Sequence, residues 1–209
     1  TNHTRTAMER KRAAYANATA LGRLSIARYY YGSRYVADRA GSPANLSDVH
    51  LNAPNSSEQV LHDSDDPIAD FELSVEEGDG WNVEDRDRMG ELFLRVALRT
   101  ELNRSTAVDA AAGWGDDRKV AYTNGDTTAY AWAVRWDDAA NATEFEAAFK
   151  TYLDAKATEE GHIWTADEGN SSYRVERASE KTVVVFLGNE SFVRNASAGQ
   201  ENGEIVVGP

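Results

Sequence analysis

Residues 118–136 have the sequence RKVAYTNGDTTAYAWAVRW, and this stretch decides the fold. The dipeptide Asn124-Gly125 is preferred in type I′ turns, so it predicts a β-hairpin between the runs on either side. The second run alternates large and small apolar residues, which predicts a strand with one bulky face and one face that a helix can approach closely. The bulky face holds Tyr130, Trp132, Val134 and Trp136, and the small face holds Ala129, Ala131 and Ala133.

Helices and further strands are predicted on both sides of this hairpin. Apolar residues at helical spacing predict helices over residues 5–40 (broken near Gly22), 83–102, 104–112 and 143–157, with short helical turns over 45–62. Apolar runs and alternation predict strands over residues 68–75 and near 162–165, 172–177 and 181–187. This order predicts an α+β fold in three parts. The parts are an N-terminal helical segment (1–67), an α+β domain with a mostly antiparallel sheet packed on helices (68–190), and a flexible polar tail (191–209).

Side-chain pairs support two of the helices. Glu91 and Arg95 have the i, i+4 spacing of a stabilising ion pair. Thr143 and Glu146 have the spacing of a capping box, which predicts that the later helix begins at Thr143.

The composition limits the class of protein. The chain has 35 Asp and Glu against 22 Lys and Arg, a net charge of −13, only five Lys and no Cys. A surface rich in carboxylates and poor in Lys is typical of a halophilic protein, which binds cations loosely and needs salt to screen its repulsion. No basic stripe exists to neutralise phosphates, so we expect no nucleic acid partner. No apolar run approaches the ~20 residues that span a bilayer.

Nine of the thirteen asparagines lie in N-x-S/T sequons. Each sequon is an acceptor for an N-linked glycan, which must lie on the surface of an exported protein. The sequence therefore predicts an N-glycoprotein that is extracellular or on the cell surface. The nine are Asn2, Asn17, Asn45, Asn55, Asn103, Asn141, Asn170, Asn189 and Asn195.

Two groups of aromatic residues are candidates for a ligand or partner surface. An aromatic stripe on a strand either packs in the core or binds a ligand such as a sugar, and the sequence leaves both readings open. Three consecutive Tyr span almost a full helical turn, so their rings cannot all be buried by one neighbour. The candidates are Tyr29, Tyr30, Tyr31, Tyr130, Trp132 and Trp136.

Catalytic and metal-binding motifs are missing from the sequence. The four His never form H-E-x-x-H or another close ligand pair, and there is no Gly-rich phosphate loop and no G-x-S-x-G elbow. The acidic loop 63–66 lacks the spacing of an EF-hand. We therefore assign no catalytic residue and expect no enzyme activity from this chain alone.

Three segments in order resemble one family. They are SSEQVLH (56–62), AAAGWGDDR (110–118) and the pair of segments YAW (130–132) and RWD (135–137) followed by residues 139–145. This set is similar to the C-terminal half of haloarchaeal secreted surface proteins that are gluzincin-metalloprotease-like. Asp116 stands where the family has Gly, and Asp63 where it has Pro.

The resemblance implies a zinc site whose H-E-x-x-H helix lies in an upstream segment, so zinc is expected only with that segment. The candidate metal ligands within this chain are Glu9 and His62. A zinc hydrolase needs three protein ligands and an activated water, which this chain does not supply.

We therefore expect a non-catalytic accessory domain of a haloarchaeal cell-surface, metalloprotease-like protein. One alternative is a stand-alone glycosylated module of the cell envelope, such as an adhesin or a filament sheath. Another is an enzyme half completed by a separate zinc-bearing chain. The sequence begins at Thr1 without a signal peptide, so we expect a mature form or a fragment with the export signal upstream. The expected partners are the upstream catalytic half or envelope proteins.

Overall fold

The computed structural model describes residues 2–166, 169 and 171–209, with side chains from residue 6 onward. The chain divides into two compact units. The helical unit comprises the residues up to Ile68 together with Gly90–Thr100, and the sheet unit comprises Ala69–Met89 and Glu101–Pro209. The α+β class predicted from the sequence is confirmed, but the helical part includes a second segment that lies within the predicted α+β domain.

Five helices form the helical unit: α1 (Asn2–Asn17), α2 (Ala20–Ala40), α3 (Leu46–Leu51), α4 (Ser57–His62) and α5 (Gly90–Leu98). The predicted break in the first helix occurs just before Gly22, because the Thr19 hydroxyl accepts a hydrogen bond from the Gly22 N–H and begins α2. Gly41 ends α2, as expected. In the part of the chain that the structure describes, no helix is both long and apolar enough to cross a membrane.

The predicted helix over residues 83–102 is wrong in its first third. Residues Asn82–Asp87 form strand β2 instead, and α5 begins only at Gly90. Residues 84–88 are all charged and exposed, so a helix there would bury no apolar face. Pairing with the neighbouring strand satisfies the backbone groups of this segment instead.

A seven-stranded antiparallel sheet forms the body of the sheet unit, in the order β2-β3-β4-β8-β7-β6-β5. Its strands after β2 are β3 (Trp114–Asn124), β4 (Thr127–Trp136), β5 (Ala157–Glu160), β6 (Ile163–Ala166), β7 (Ser172–Ser179) and β8 (Thr182–Gly188). Three helices complete the unit: α6 (Arg104–Asp109), α7 (Ala139–Asp154) and α8 (Glu190–Asn195). The predicted hairpin is strands β3 and β4, the second and third strands in this order.

The hairpin turn lies one residue later than expected. Asn124 pairs with Thr127, so the two-residue loop is Gly125-Asp126. Gly125 has φ +60, whereas Asp126 is not among the residues with positive φ. A type I′ turn needs positive φ at both central residues, so the prediction of that turn type at Asn124-Gly125 is wrong.

The two faces of β4 pack against different elements of the sheet unit. On the bulky face, the rings of Trp136 and Phe145 of α7 lie 4.8 Å apart. On the small face, a side chain at position 188 would clash with Ala129 and with Phe192 of α8, so Gly188 of β8 approaches Ala129 closely. The alanines of this face lie in one core cluster with Phe192 and Val193 of α8.

Helix α7 begins before the expected capping box. Asp138 is the N-cap, and its carboxylate accepts a hydrogen bond from the Asn141 N–H at 2.8 Å. Thr143 instead donates to the Ala139 carbonyl, and Glu146 accepts from Lys150 at 2.7 Å. A carboxylate five residues earlier thus begins the helix, and the prediction of a start at Thr143 is wrong.

The C-terminal residues predicted to form a flexible tail form regular structure. A second, three-stranded sheet has the order β1-β10-β9, from β1 (Leu73–Val75), β9 (Ser197–Glu201) and β10 (Glu204–Gly208). Strand β10 pairs with β1 in parallel, and its residues Ile205 and Val207 are buried. The short apolar run 205–207 is enough to anchor the end of the chain, so the prediction of a mobile tail over 191–209 is wrong.

Candidate functional site

The segment SSEQVLH (56–62) links helices within the helical unit. The Ser56 hydroxyl accepts from the Gln59 N–H at 3.1 Å, which caps α4. The Ser57 hydroxyl accepts from the Leu92 N–H at 3.1 Å, which satisfies a free donor in the first turn of α5. Gln59 donates its amide to the Asp66 carbonyl at 2.7 Å. Ser57 thus joins α4 to α5, while Ser56 and Gln59 fix the start of α4 and the loop that follows it.

His62, at the end of this segment, lies on a buried carboxylate. Its Nε2 is 3.0 Å from Oε1 of Glu91, whose side chain is fully buried. Arg95 donates to the same oxygen through Nε at 2.8 Å and through Nη2. The expected i, i+4 pair between Glu91 and Arg95 is thus confirmed, and the structure adds His62 as a third member.

The three side chains share one oxygen and leave another unused. Nε2 of His62 also lies 3.0 Å from Nη2 of Arg95, so it either donates to Glu91 or accepts from Arg95, depending on the tautomer. Oε2 of Glu91 is buried and has no hydrogen-bond partner within the described residues. Since Arg95 supplies the compensating charge, the cluster is built as a buried ion pair with a half-exposed imidazole at its edge.

The three consecutive Tyr have separate environments. Tyr30 and Tyr31 pack on Tyr15 of α1, each with ring centroids 5.2 Å away. Burial raises the pKa of Tyr31, the hydrogen bond with Tyr15 raises it further, and the nearby Arg95 lowers it. Tyr29 is 59% exposed. Only Tyr29 is therefore placed to contact a partner freely.

The helices α1 and α2 form a basic hairpin (residues 2–40), a feature that the sequence analysis missed. This segment carries eight Lys and Arg against two Asp and Glu, whereas residues 41–209 carry 14 against 33. Beside Tyr29 lies an open groove of about 860 Å³ that Val36 and Leu46 also line, with Lys11 and Arg28 at its margin. Counting charge in windows along the sequence would have found the asymmetry.

The acidic loop 63–66 is already paired with a cationic side chain of the protein. Arg39 of α2 pairs with Asp63 at 2.7 Å and with Asp65 at 2.8 Å. These hydrogen bonds raise the pKa of Arg39. The guanidinium occupies the position that a bound cation would take between these two carboxylates.

In the sheet unit, two of the family-like segments meet at Asp117. Its Oδ1 accepts from the indole N–H of Trp114 at 3.0 Å. Its Oδ2 accepts from the indole N–H of Trp132 and from the Met89 N–H, both at 2.8 Å. The carboxylate is fully buried and is satisfied by donors from both strands of the hairpin and from residue 89.

Asp116 is the second buried carboxylate of the segment GWGDDR (113–118). Its Oδ1 accepts from Arg88 Nε at 2.7 Å, and its Oδ2 accepts from Arg118 Nη1 at 2.5 Å. Two arginines therefore neutralise the buried charge of Asp116. Neither Asp116 nor Asp117 was predicted as a site residue.

The predicted aromatic surface on β4 is largely core. Trp136 is fully buried and Trp132 is 9% exposed, so for these two residues the structure favours the core over a ligand surface, the two interpretations that the sequence left open. Trp136 packs on Phe145 of α7, and Trp132 donates its indole N–H to Asp117. Neither ring is therefore available to a ligand. Tyr130 is half-buried, with the ammonium of Lys119 5.8 Å from its ring centre.

The sequon asparagines differ in exposure. Asn141 is half-buried inside α7 and fills the space beside Gly113, which has φ +74. Asn103 and Asn189 cap α6 and α8 through Oδ1, which leaves Nδ2, the glycan attachment atom, outside the cap. Asn170 and the side chain of Asn2 lie outside the described residues. The exposed acceptors are Asn17, Asn45, Asn55, Asn103, Asn189 and Asn195.

The candidate metal ligands Glu9 and His62 lie on different helices, α1 and α4. Glu9 is exposed on α1, and His62 is held by Glu91 and Arg95. Within the described ranges, no three His, Asp or Glu side chains form a group that could hold a metal ion.

Comparisons with known proteins give one finding about this chain. No curated protein and no solved structure matches it. A family model described as a domain of unknown function (DUF8575) matches residues 79–197. This span contains the whole seven-stranded sheet, both buried Asp residues and helices α5 to α8. Because the model covers more than half of the chain, the chain belongs to the DUF8575 family.

Proposed function

We propose that this chain is a non-catalytic accessory domain of a haloarchaeal cell-surface, metalloprotease-like protein. Its helical unit binds the polypeptide that carries the catalytic residues. The observation that carries the proposal is the groove on the basic hairpin, where apolar side chains are exposed on an otherwise acidic, polar chain. Large exposed apolar patches with polar margins are typical of protein-binding surfaces.

Charge and shape of the groove support a protein partner with acidic residues. Arg28 lies over the Tyr29 ring at 5.0 Å, so the apolar wall and the positive margin are adjacent. In molar salt the Debye length falls to about 3 Å, so apolar contact supplies most of the affinity. Lys11 and Arg28 then favour a partner segment whose acidic residues lie beside its apolar ones.

The family-like segments support a structural use. In the helical unit, backbone groups are the hydrogen-bond partners of Ser56, Ser57 and Gln59. In the sheet unit, both carboxylate oxygens of Asp117 accept hydrogen bonds from N–H groups. Residues with these partners stabilise a scaffold. We expect that zinc added to the purified chain produces no chelator-sensitive cleavage of an unstructured protein substrate.

The proposal is tested by cross-linking in a halophilic archaeal host. The tagged chain is recovered in molar KCl, and its cross-linked peptides are identified by mass spectrometry. The wild-type chain should cross-link to a polypeptide that contains H-E-x-x-H, on the same or on a separate chain. The double variant Tyr29→Ser, Val36→Ser should lose this cross-link.

A matched control is Leu51→Ser, since Leu51 is 78% exposed but lies outside the groove. It should recover the partner as the wild type does. Equal recovery by the double variant, or no such polypeptide with the wild type, contradicts the proposal. An H-E-x-x-H polypeptide encoded by a separate gene supports the enzyme-half alternative.

A second candidate function is a stand-alone glycosylated module of the cell envelope. The six exposed sequon asparagines favour it, because glycans on both units suit a protein that faces the medium on many sides. The same cross-linking experiment then yields envelope proteins or copies of this chain in place of a protease-like partner.

A further inference from the structure

We propose that the sheet unit carries a binding site for an oxyanion group, formed by Arg86, Arg88 and Arg118 at the edge strand β2. The three arginines line an open groove of about 390 Å³, together with Leu73 and Asp87. The proposal needs no protein partner and stands apart from the proposed function, because every residue of the groove belongs to the sheet unit.

The strand register places the side chains of Arg86 and Arg118 on one face. Arg86 pairs with Val120 across β2 and β3, so these two side chains lie on the same side of the sheet. Arg118 lies two residues from Val120 within β3, so it shares that face. Arg88 directly follows β2, and its ion pair with Asp116 brings it to the same groove. The three arginines therefore line the same groove.

A buried carboxylate holds two of the three guanidinium groups in place. The Asp116 carboxylate accepts hydrogen bonds from Nε of Arg88 at 2.7 Å and from Nη1 of Arg118 at 2.5 Å. Each guanidinium has five N–H donors, so both keep donors that Asp116 does not use. Their orientation is set before a ligand arrives, which lowers the entropy cost of binding.

The acidic group in the groove is already engaged by the protein. One oxygen of Asp87 accepts from the Arg88 N–H at 2.8 Å, and the other lies 3.8 Å from the Lys119 ammonium. Arg86 is exposed and has no ion pair or side-chain hydrogen bond within the described residues. Three guanidinium groups thus face two compensated carboxylates, which leaves the groove positive on a chain of net charge −13.

The planar fork of a guanidinium matches carboxylate, sulfate and phosphate groups in two-point hydrogen bonds. With one guanidinium free and two fixed, the groove fits a single group of this class in contact with more than one arginine. The group is either a free inorganic anion or a carboxylate carried on an acidic polypeptide.

The test follows the arginine Nε–H signals of the isotope-labelled chain by NMR at constant ionic strength in molar KCl. Sodium sulfate is titrated first, and poly-L-glutamate is titrated in a second arm. The signals of Arg86, Arg88 and Arg118 should shift saturably in at least one arm. A response to sulfate alone identifies a free anion, and a response to poly-L-glutamate identifies a polypeptide carboxylate.

Arg86→Ser should weaken binding about tenfold or more, since it removes a charged donor without a structural partner. The matched control is Arg104→Ser, which removes the same charge from an exposed position outside the groove. It should bind as the wild type does. No saturable shift in either arm, or equal weakening by both variants, overturns the proposal.

Discussion

Replacing Asp117 with Asn tests whether one buried carboxylate joins β3, β4 and residue 89. The carboxylate accepts from the indoles of Trp114 and Trp132 and from the Met89 N–H. Asn keeps a single acceptor oxygen. If that oxygen takes the Oδ2 position, the Trp114 indole loses its acceptor and faces the new NH₂ group. In the opposite orientation, the Trp132 indole and the Met89 N–H both lose their acceptor.

The better orientation therefore leaves two buried donors unsatisfied, at about 1–3 kcal/mol each. The two remaining hydrogen bonds also weaken, because their acceptor is no longer charged. We expect the free energy of unfolding to fall by about 3–5 kcal/mol, a large share of the ~5–15 kcal/mol that is typical of native proteins.

The measurement is urea unfolding in molar KCl, followed by tryptophan fluorescence. The matched control is Asp126→Asn in the exposed hairpin turn, which should change the free energy of unfolding by less than about 0.5 kcal/mol. A loss below about 1 kcal/mol for Asp117→Asn, with an unchanged denaturant slope, would refute the reasoning.

Three further predictions follow from charge and surface. The melting temperature should rise steeply across a KCl series, because a net charge of −13 repels itself until salt screens it, and a flat curve would contradict the halophilic reading. Protein from its native source should have an intact mass above the bare 23.0 kDa, since six sequon asparagines are exposed; a mass equal to the bare chain would exclude glycans. Burial raises the pKa of Glu146, but hydrogen bonds from Lys150 and Arg177 outweigh it, so the net pKa lies below the ordinary 4.5. Glu146→Gln should therefore cost less than about 1 kcal/mol near neutral pH. That cost should shrink as the pH falls below 4.5 and through the folded-state pKa, which paired urea titrations would measure.

Local signals determined much of the sheet unit. Alternation in 129–136 and the run 182–187 predicted two strands, and both were confirmed as β4 and β8. Side chains alternate across a strand whatever lies around it, so this pattern is visible without a partner. The tail was misjudged for the opposite reason. Strand β10 is stabilised by β1, more than 100 residues earlier, and no local pattern encodes that pairing.

The candidate sites divide in the same way. Sequons, net charge and the Glu91–Arg95 pair follow from residue types at short spacing, so the sequence alone determined them, and the charge of residues 2–40 was also available to a windowed count. The contact of His62 with Glu91 spans 29 residues, and the contact of Arg88 with Asp116 spans 28. Only the tertiary structure decided these contacts, because a buried charge finds its partner through packing of distant segments, and burial then makes that partner necessary.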